Sequence, residues 1–206
     1  SVLSSAYDHH TKTYIPMSYP WVKIRSLPEI LKEGGYRTSV FQSSSLKCFN
    51  HRGYLQKRKL DKIMEMRHFM EKGVPKYTPL SVDDREMIEP AVKFMKEDAE
   101  KPFFVSFFPL MPHHPYKVPD QSYHIVPKWR INQEKDFKKR SWLRYHNALH
   151  FADAALGQLI DRLKEEKLLK NTIIFVFGDH GEAFYQHKQN YTHSLFIYEE
   201  TVHVPM

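Results

Sequence analysis

Thr172-Ile-Ile-Phe-Val-Phe177 runs without a charge, stops at Gly178, and is followed at once by Asp179-His180-Gly181-Glu182. An apolar run of this length without polar alternation fits a strand buried on both faces of a parallel sheet. Parallel strands need crossover connections, usually helices, so this segment commits the chain to an α/β plan. It also delivers an oxygen donor and an imidazole to the crevice beyond the carboxyl ends of the strands, where open α/β sheets hold ligands. An Asp-His pair there can put two donor atoms on one divalent ion. Equally, the Asp can turn the chain and the His cap it, because two ligands alone do not complete a site.

The rest of the sequence alternates as that plan requires. Ser26-Leu-Pro-Glu29 is a capping box with proline in the first turn, and Gly34-Gly35 supplies the helix stop before a strand at Thr38–Phe41. Lys47–Pro79, broken by Gly53, Gly73, Pro75 and Pro79, reads as an excursion from the sheet with a short helix around Asp61–Lys72. Ser81 and Asp84 signal a second cap. Met87, Ile88, Ala91, Val92 and Met95 follow at helical spacing, with Pro90 as a kink or late start. Phe103–Phe108, FFVSFF, is a second buried parallel strand, running into a proline-held loop with His113 and His114. From Ser141 a long helix carries the apolar stripe Ala148, Phe151, Ala152, Ala155, Leu156, Leu159, Ile160 and Leu163. A short last strand is expected at Val202–Met206. The expected fold is therefore α/β, a mostly parallel sheet flanked by helices on both faces, with both histidine-bearing loops leaving the same edge.

A chain of 206 residues, 41% hydrophobic and 27% charged, can bury a core and suits one domain or most of one. The net charge of +7 suits an anionic partner, but the positive charge is dispersed, and nucleic acid is not expected. The single Cys48 excludes an internal disulfide and a cysteine zinc cage. No apolar run reaches the about 18 residues of a membrane span. Ser1 already lies inside a patterned segment and Met206 follows a strand-like VHVPM. Residues 1–206 are accordingly expected to be a single partial domain of a larger polypeptide, incomplete at both ends.

Thirteen histidines direct attention to metal or anion chemistry. His113, held between Pro112 and Pro115 at a strand's carboxyl end, is placed to hydrogen-bond an anionic oxygen or to shuttle a proton. His114 is expected to pack among aromatics. His187 and His193 could each donate to a substrate oxygen or sit in a polar loop, and spacing does not choose. Asp153 and Glu182 read as structural contacts.

Three ordered blocks resemble the sulfatase branch of the alkaline phosphatase superfamily. They are SLPEILKEGGYRTSVF at Ser26–Phe41, the PFF…PHHPY of Lys101–Tyr116, and Thr172–Gly181 with the tail YEETVHVP. The resemblance implies metal ligation by Asp179 and His180, to calcium, manganese or zinc. It implies that His113 and His193 contact the substrate's anionic group or its leaving oxygen. The family attacks sulfate or phosphate esters with a formylglycine, Thr or Ser nucleophile. This chain has no Cys-x-Pro-Ser-Arg motif, and the first acidic metal ligands on a preceding strand are missing. Ser1–Tyr7 resembles the segment just after the nucleophile, which is therefore expected ahead of Ser1, with the fragment inactive alone. The expected activity is sulfate-ester hydrolysis in an extracytoplasmic setting. The alternatives are phosphoglycerol or phosphoethanolamine transfer at the membrane surface, with membrane association through segments outside this chain, and a non-catalytic anion-binding domain.

Overall fold

The structure, a computed structural model, describes residue 19 and residues 21–47, 50–193 and 196–206. Cys48 and the segment of residues 1–7 lie outside the described residues. The chain divides into two compact units, Ser1–Leu110 and Met111–Met206.

The first unit is built on a parallel sheet. Helix α1 (Leu27–Glu33) starts where the capping box predicts: the amide and hydroxyl of Ser26 both donate to the Glu29 carboxylate, at 2.9 and 2.7 Å. It stops at Gly34, and Gly35 takes φ +87°, a conformation that disfavours any side chain. Strand β1 (Arg37–Gln42) follows, flanked by β2 (Lys62–Met64) and β3 (Phe103–Phe108) in the order β2-β1-β3, both pairings parallel. Successive strand residues point to opposite faces, and Thr38, Ser39, Val40 and Phe41 all have no exposed surface, so both faces are covered. On one face Val40 packs with Leu46 and with Tyr54 and Leu55 of α2 (His51–Gln56). On the other, Phe41 meets Phe94 of α4 (Ile88–Lys96) edge-on at 6.3 Å. The expected parallel sheet with helices on both faces is what this unit contains.

Three local expectations change. Residues 61–72 are not one helix: β2 joins the sheet first, and α3 (Met66–Met70) follows after Glu65. A three-residue strand is too short to carry a periodic signal. The cap before α4 is Asp83, whose carboxylate accepts from the Arg85 amide at 2.9 Å; Asp84 turns inward and accepts from the Leu110 amide at 2.8 Å. Pro90 lies in the first turn of α4, a late start, where its missing N–H leaves no intrahelical bond unmade.

In the second unit α5 (Lys128–Gln133) precedes α6 (Phe137–Glu165), a 29-residue helix beginning four residues earlier than the start expected at Ser141. Asp136 caps it, accepting from the amides of Lys138 and Lys139 at 2.8 and 3.4 Å. Its buried stripe contains Ala148, Phe151, Ala155, Leu159 and Leu163. Buried Asn147 replaces a strand partner for Val126, donating to its carbonyl at 2.9 Å and accepting from its amide at 2.8 Å.

Two expected strands are overturned. Residues 172–177 pair with no strand among the described residues, and Ile173 and Phe175 are 82% and 77% exposed. The composition suits a strand, but pairing is non-local, and among its described residues this unit offers no strand alongside. Residues 202–206 are not a strand either: α7 (Glu199–Val202) occupies the start of the tail, with the Thr201 hydroxyl accepting from the Tyr198 amide at 3.1 Å.

Glu65 is the buried charge that holds α2 and α3 to the sheet. Its side chain is 1% exposed, accepts from the Leu46 amide at 3.1 Å and pairs with Arg52. Glu65→Ala should destabilise the protein by about 3 kcal/mol, since it leaves a donor and a guanidinium without their partner. Urea denaturation measures this, and a change below about 0.5 kcal/mol would place the Glu65 carboxylate among ordinary surface charges.

Candidate functional site

Four segments of the second unit meet: the loop of residues 111–116, the turn of residues 178–182, a two-stranded ladder, and the tail helix α7. The ladder sets the geometry. Strands β4 (Ala183–Phe184) and β5 (Tyr191–Thr192) pair antiparallel, Ala183 with Thr192 and Phe184 with Tyr191. One step further along that register, Glu182 faces His193.

The tail supports the turn. The Gly181 amide donates to the Thr201 carbonyl at 2.9 Å, and the Gly178 amide to the Pro205 carbonyl at 3.3 Å. A Cβ on Gly181 would stand 2.2 Å from the Glu200 carbonyl oxygen, so only glycine fits. Asn190, without exposed surface, donates to the Glu200 carboxylate at 2.8 Å. His187 also reaches Glu200, at 2.9 Å, and stacks on Tyr198 with ring centroids 4.0 Å apart. These contacts make His187 a clamp on the tail.

His180, His193 and His113 form one cluster. The His180 and His193 rings stack at 3.8 Å, and His113 meets His193 edge-on at 5.9 Å. A carbonyl oxygen can only accept, so its partner nitrogen carries the proton. Nδ1 of His180 lies 2.8 Å from the Gly181 carbonyl, and Nδ1 of His113 lies 2.6 Å from the His114 carbonyl. When neutral, both rings then keep a free lone pair on Nε2, the form that binds metals or accepts protons. The His180 Nε2 lies 3.7 Å from Asp179 Oδ2, on a carboxylate whose side chain is 83% exposed. Among the described residues no three His, Cys, Asp or Glu side chains are grouped to hold a metal ion. The Asp179–His180 pair supplies one hard oxygen and one imidazole nitrogen, a donor set that suits zinc or manganese and leaves further ligands to be supplied.

The four sequence candidates Asp179, His180, His113 and His193 are thus brought together. His114 instead packs edge-on against Tyr116 and Tyr191, at 5.3 and 6.2 Å, and Asp153 stands exposed on α6. Sequence reasoning missed the position of Glu182: its side chain is 6% exposed and its Oε1 lies 3.6 Å from His193 Nδ1. No local signal reveals this, because the ladder register creates it. Burial pushes the Glu182 carboxyl up to about 7; the His180 charge and the Tyr116 hydroxyl oppose the rise, and the Asp179 charge adds to it. Burial, and then the positive charges of His180 and His113, hold His193 below the ordinary histidine range, with Asp179 opposing. Burial and the Glu182 charge raise the Tyr116 phenol well above the usual tyrosine value.

The family model described as Sulfatase matches residues 1–206. The lipoteichoic acid synthase-like protein YvgJ of Bacillus subtilis is 26% identical over 151 residues, 73% of this chain and 23% of that protein. The endo-4-O-sulfatase of Bacteroides thetaiotaomicron is 32% identical over 98 residues, 42% of this chain and 19% of that protein. The chain thus spans less than a quarter of the length of these curated relatives. Among solved structures, the lipoteichoic acid synthase LtaP of Listeria monocytogenes superposes with a TM-score of 0.74 at 20% identity, covering 87% of this chain and 42% of that one.

Two consequences can be measured. Gly181→Ala should displace the turn carrying Asp179 and His180 and cost about 1–3 kcal/mol, because the new methyl meets backbone; a wild-type melting curve would contradict the close approach. The second concerns pH. The His187 hydrogen bond, ahead of smaller contributions, lowers the Glu200 carboxyl from the ordinary 4.5. The stabilisation of α7 by this contact is complete above pH 4.5 and is lost as pH falls through the lowered value. Protection of the α7 amides relative to their intrinsic exchange rates should therefore fall on acidification below that point, and His187→Ala should remove this pH dependence.

Proposed function

This chain belongs to the sulfatase family, and we propose that it carries the metal-binding and leaving-group side of a site that cleaves sulfate esters. Asp179 and His180 would hold a divalent ion, and His113 and His193 would hold the ester. The observation that carries this reading is the His180 contact: its Nδ1 lies 2.8 Å from the Gly181 carbonyl, which can only accept, so in the neutral ring the Nε2 lone pair stands beside the Asp179 carboxylate. A divalent ion bound there would supply positive charge against the nucleophile and a non-bridging ester oxygen.

The chain's own residues account for the rest. His193 is held neutral by burial and by its imidazole neighbours. An anionic ester seated against it supplies the missing counter-charge and favours uptake of a proton. That proton then passes to the leaving oxygen as the ester bond breaks, while His113 keeps the anion in register. On this reading the attacking nucleophile lies ahead of Ser1. An extracytoplasmic setting and a small anionic ester partner complete the proposal. Among the described residues no helix is long and apolar enough to cross a membrane.

A second reading, phosphoglycerol or phosphoethanolamine transfer, is favoured by one observation. The lipoteichoic acid synthase-like relative aligns over 73% of this chain, against 42% for the endo-4-O-sulfatase. The two readings share the metal and the histidines and differ in acceptor and nucleophile.

The experiment uses the longest natural polypeptide carrying this chain, assayed with an aryl sulfate and a phosphodiester, before and after chelation, with zinc, manganese or calcium restored. Metal-dependent aryl sulfate hydrolysis is the expected result; phosphodiester cleavage alone selects the second reading. Asp179→Ala should lower metal affinity and turnover by more than about 100-fold, with an unchanged melting temperature for the metal-free protein because the side chain is exposed. Chelator-insensitive turnover, or wild-type turnover in this variant, would remove the metal assignment. Anion binding without turnover on any metal would mark a non-catalytic domain.

A further inference from the structure

Of the four buried side-chain polar atoms in the second unit that lack a hydrogen-bond partner among the described residues, two face one another: Glu182 Oε1 and His193 Nδ1, 3.6 Å apart. A buried polar atom left unpaired costs on the order of 1–3 kcal/mol. One is an acceptor and the other becomes a donor when protonated, so a closing movement of a few tenths of an ångström satisfies both. Catalytic hydrogen bonds are often long before substrate binds and shorten in its presence. From this juxtaposition we propose that Glu182 is a positioning residue for His193. Its carboxylate selects the tautomer with the proton on Nδ1 and so presents Nε2 to the substrate. The inference rests on the substrate-contacting role proposed above for His193.

Both partners are held in place independently. Glu182 lies between Gly181, whose amide is bound to the Thr201 carbonyl at 2.9 Å, and Ala183, which has no exposed surface and begins the ladder. The His193 ring is sandwiched by contact with His180 at 3.8 Å and by the edge of His113 at 5.9 Å. Stacking on the flat of an imidazole fixes the ring plane but does not distinguish Nδ1 from Nε2. The carboxylate makes that distinction, because it accepts and cannot donate when ionised. A merely space-filling Glu182 would leave the proton free to reside on either nitrogen.

The test is isotope-edited NMR of histidine-labelled protein, with His193→Gln assigning the His193 ring signals, beside steady-state kinetics. At pH 9, where a carboxyl pushed up to about 7 is ionised, wild-type His193 is expected as the Nδ1–H tautomer. Glu182→Gln keeps the shape but offers an amide that can donate as well as accept, so a mixture of tautomers is expected. With it, kcat should fall about 10–100-fold, as for other outer partners of functional histidines, while KM and zinc affinity remain at wild-type values. An Nε2–H tautomer in the wild-type protein overturns the proposal, and this measurement stands even if the variant does not fold. An unchanged tautomer in Glu182→Gln, or a changed tautomer with unchanged kcat, also overturns it. Failure of zinc, manganese and calcium alike to bind the wild-type protein would instead refute the metal reading, and the tautomer measurement would still decide whether Glu182 orients His193.

Discussion

The candidate site depends on a ladder only two residues long on each strand. Ala183 and Phe184 face Thr192 and Tyr191, and a side chain's face in a strand is fixed by counting residues. A slip of one residue would turn His193 away from Glu182 and from His180. So short a ladder has little pairing energy of its own and is held by its surroundings. Phe184 packs with Trp142 and Tyr145 of α6, at 5.0 and 4.9 Å, and with Tyr116 at 5.6 Å. Tyr191 stacks on Tyr185 at 4.9 Å, with Lys138 over the Tyr185 face. An aromatic bed, rather than a sheet, registers the histidines.

That bed also relates two loops that are distant in sequence. Tyr116 closes the proline-held loop with φ +59° and buries its ring against Tyr145 and Phe184. His113, three residues before it, is thereby carried to the His193 edge. The same unit places the tail helix behind the Asp179-His180 turn, where Gly181 is the one residue type that admits it. The sequence blocks PHHPY, GDHG and YEETVHVP are thus parts of one spatial arrangement.

Much of this was legible in the chain because its causes are local. Ser26 and Glu29 announce their own helix, FFVSFF is long enough to read as a strand, and the α6 stripe repeats over many turns. Asp179, His180 and His113 could be nominated because their residue types limit their chemistry, whereas only the family resemblance separated His193 from His187. What escaped was non-local. β2 has three residues and is a strand only because β1 lies beside it. Residues 172–177 have the composition of a strand but pair with no strand among the described residues. Val202 and Val204 alternate as a strand would, yet the Tyr198–Thr201 contact starts a helix. Glu182 looked like a loop residue, and only the register made it a neighbour of His193.

The uncovered run from Ile173 to Phe177 has a practical consequence for anyone handling these residues as a separate piece. It combines five consecutive apolar side chains with a backbone that pairs with no strand among the described residues, features that make a template for intermolecular β-pairing. Solubility of such a piece would be governed by this one segment, and a charged residue placed at Phe175 would do more against self-association than any change to the net charge of the whole.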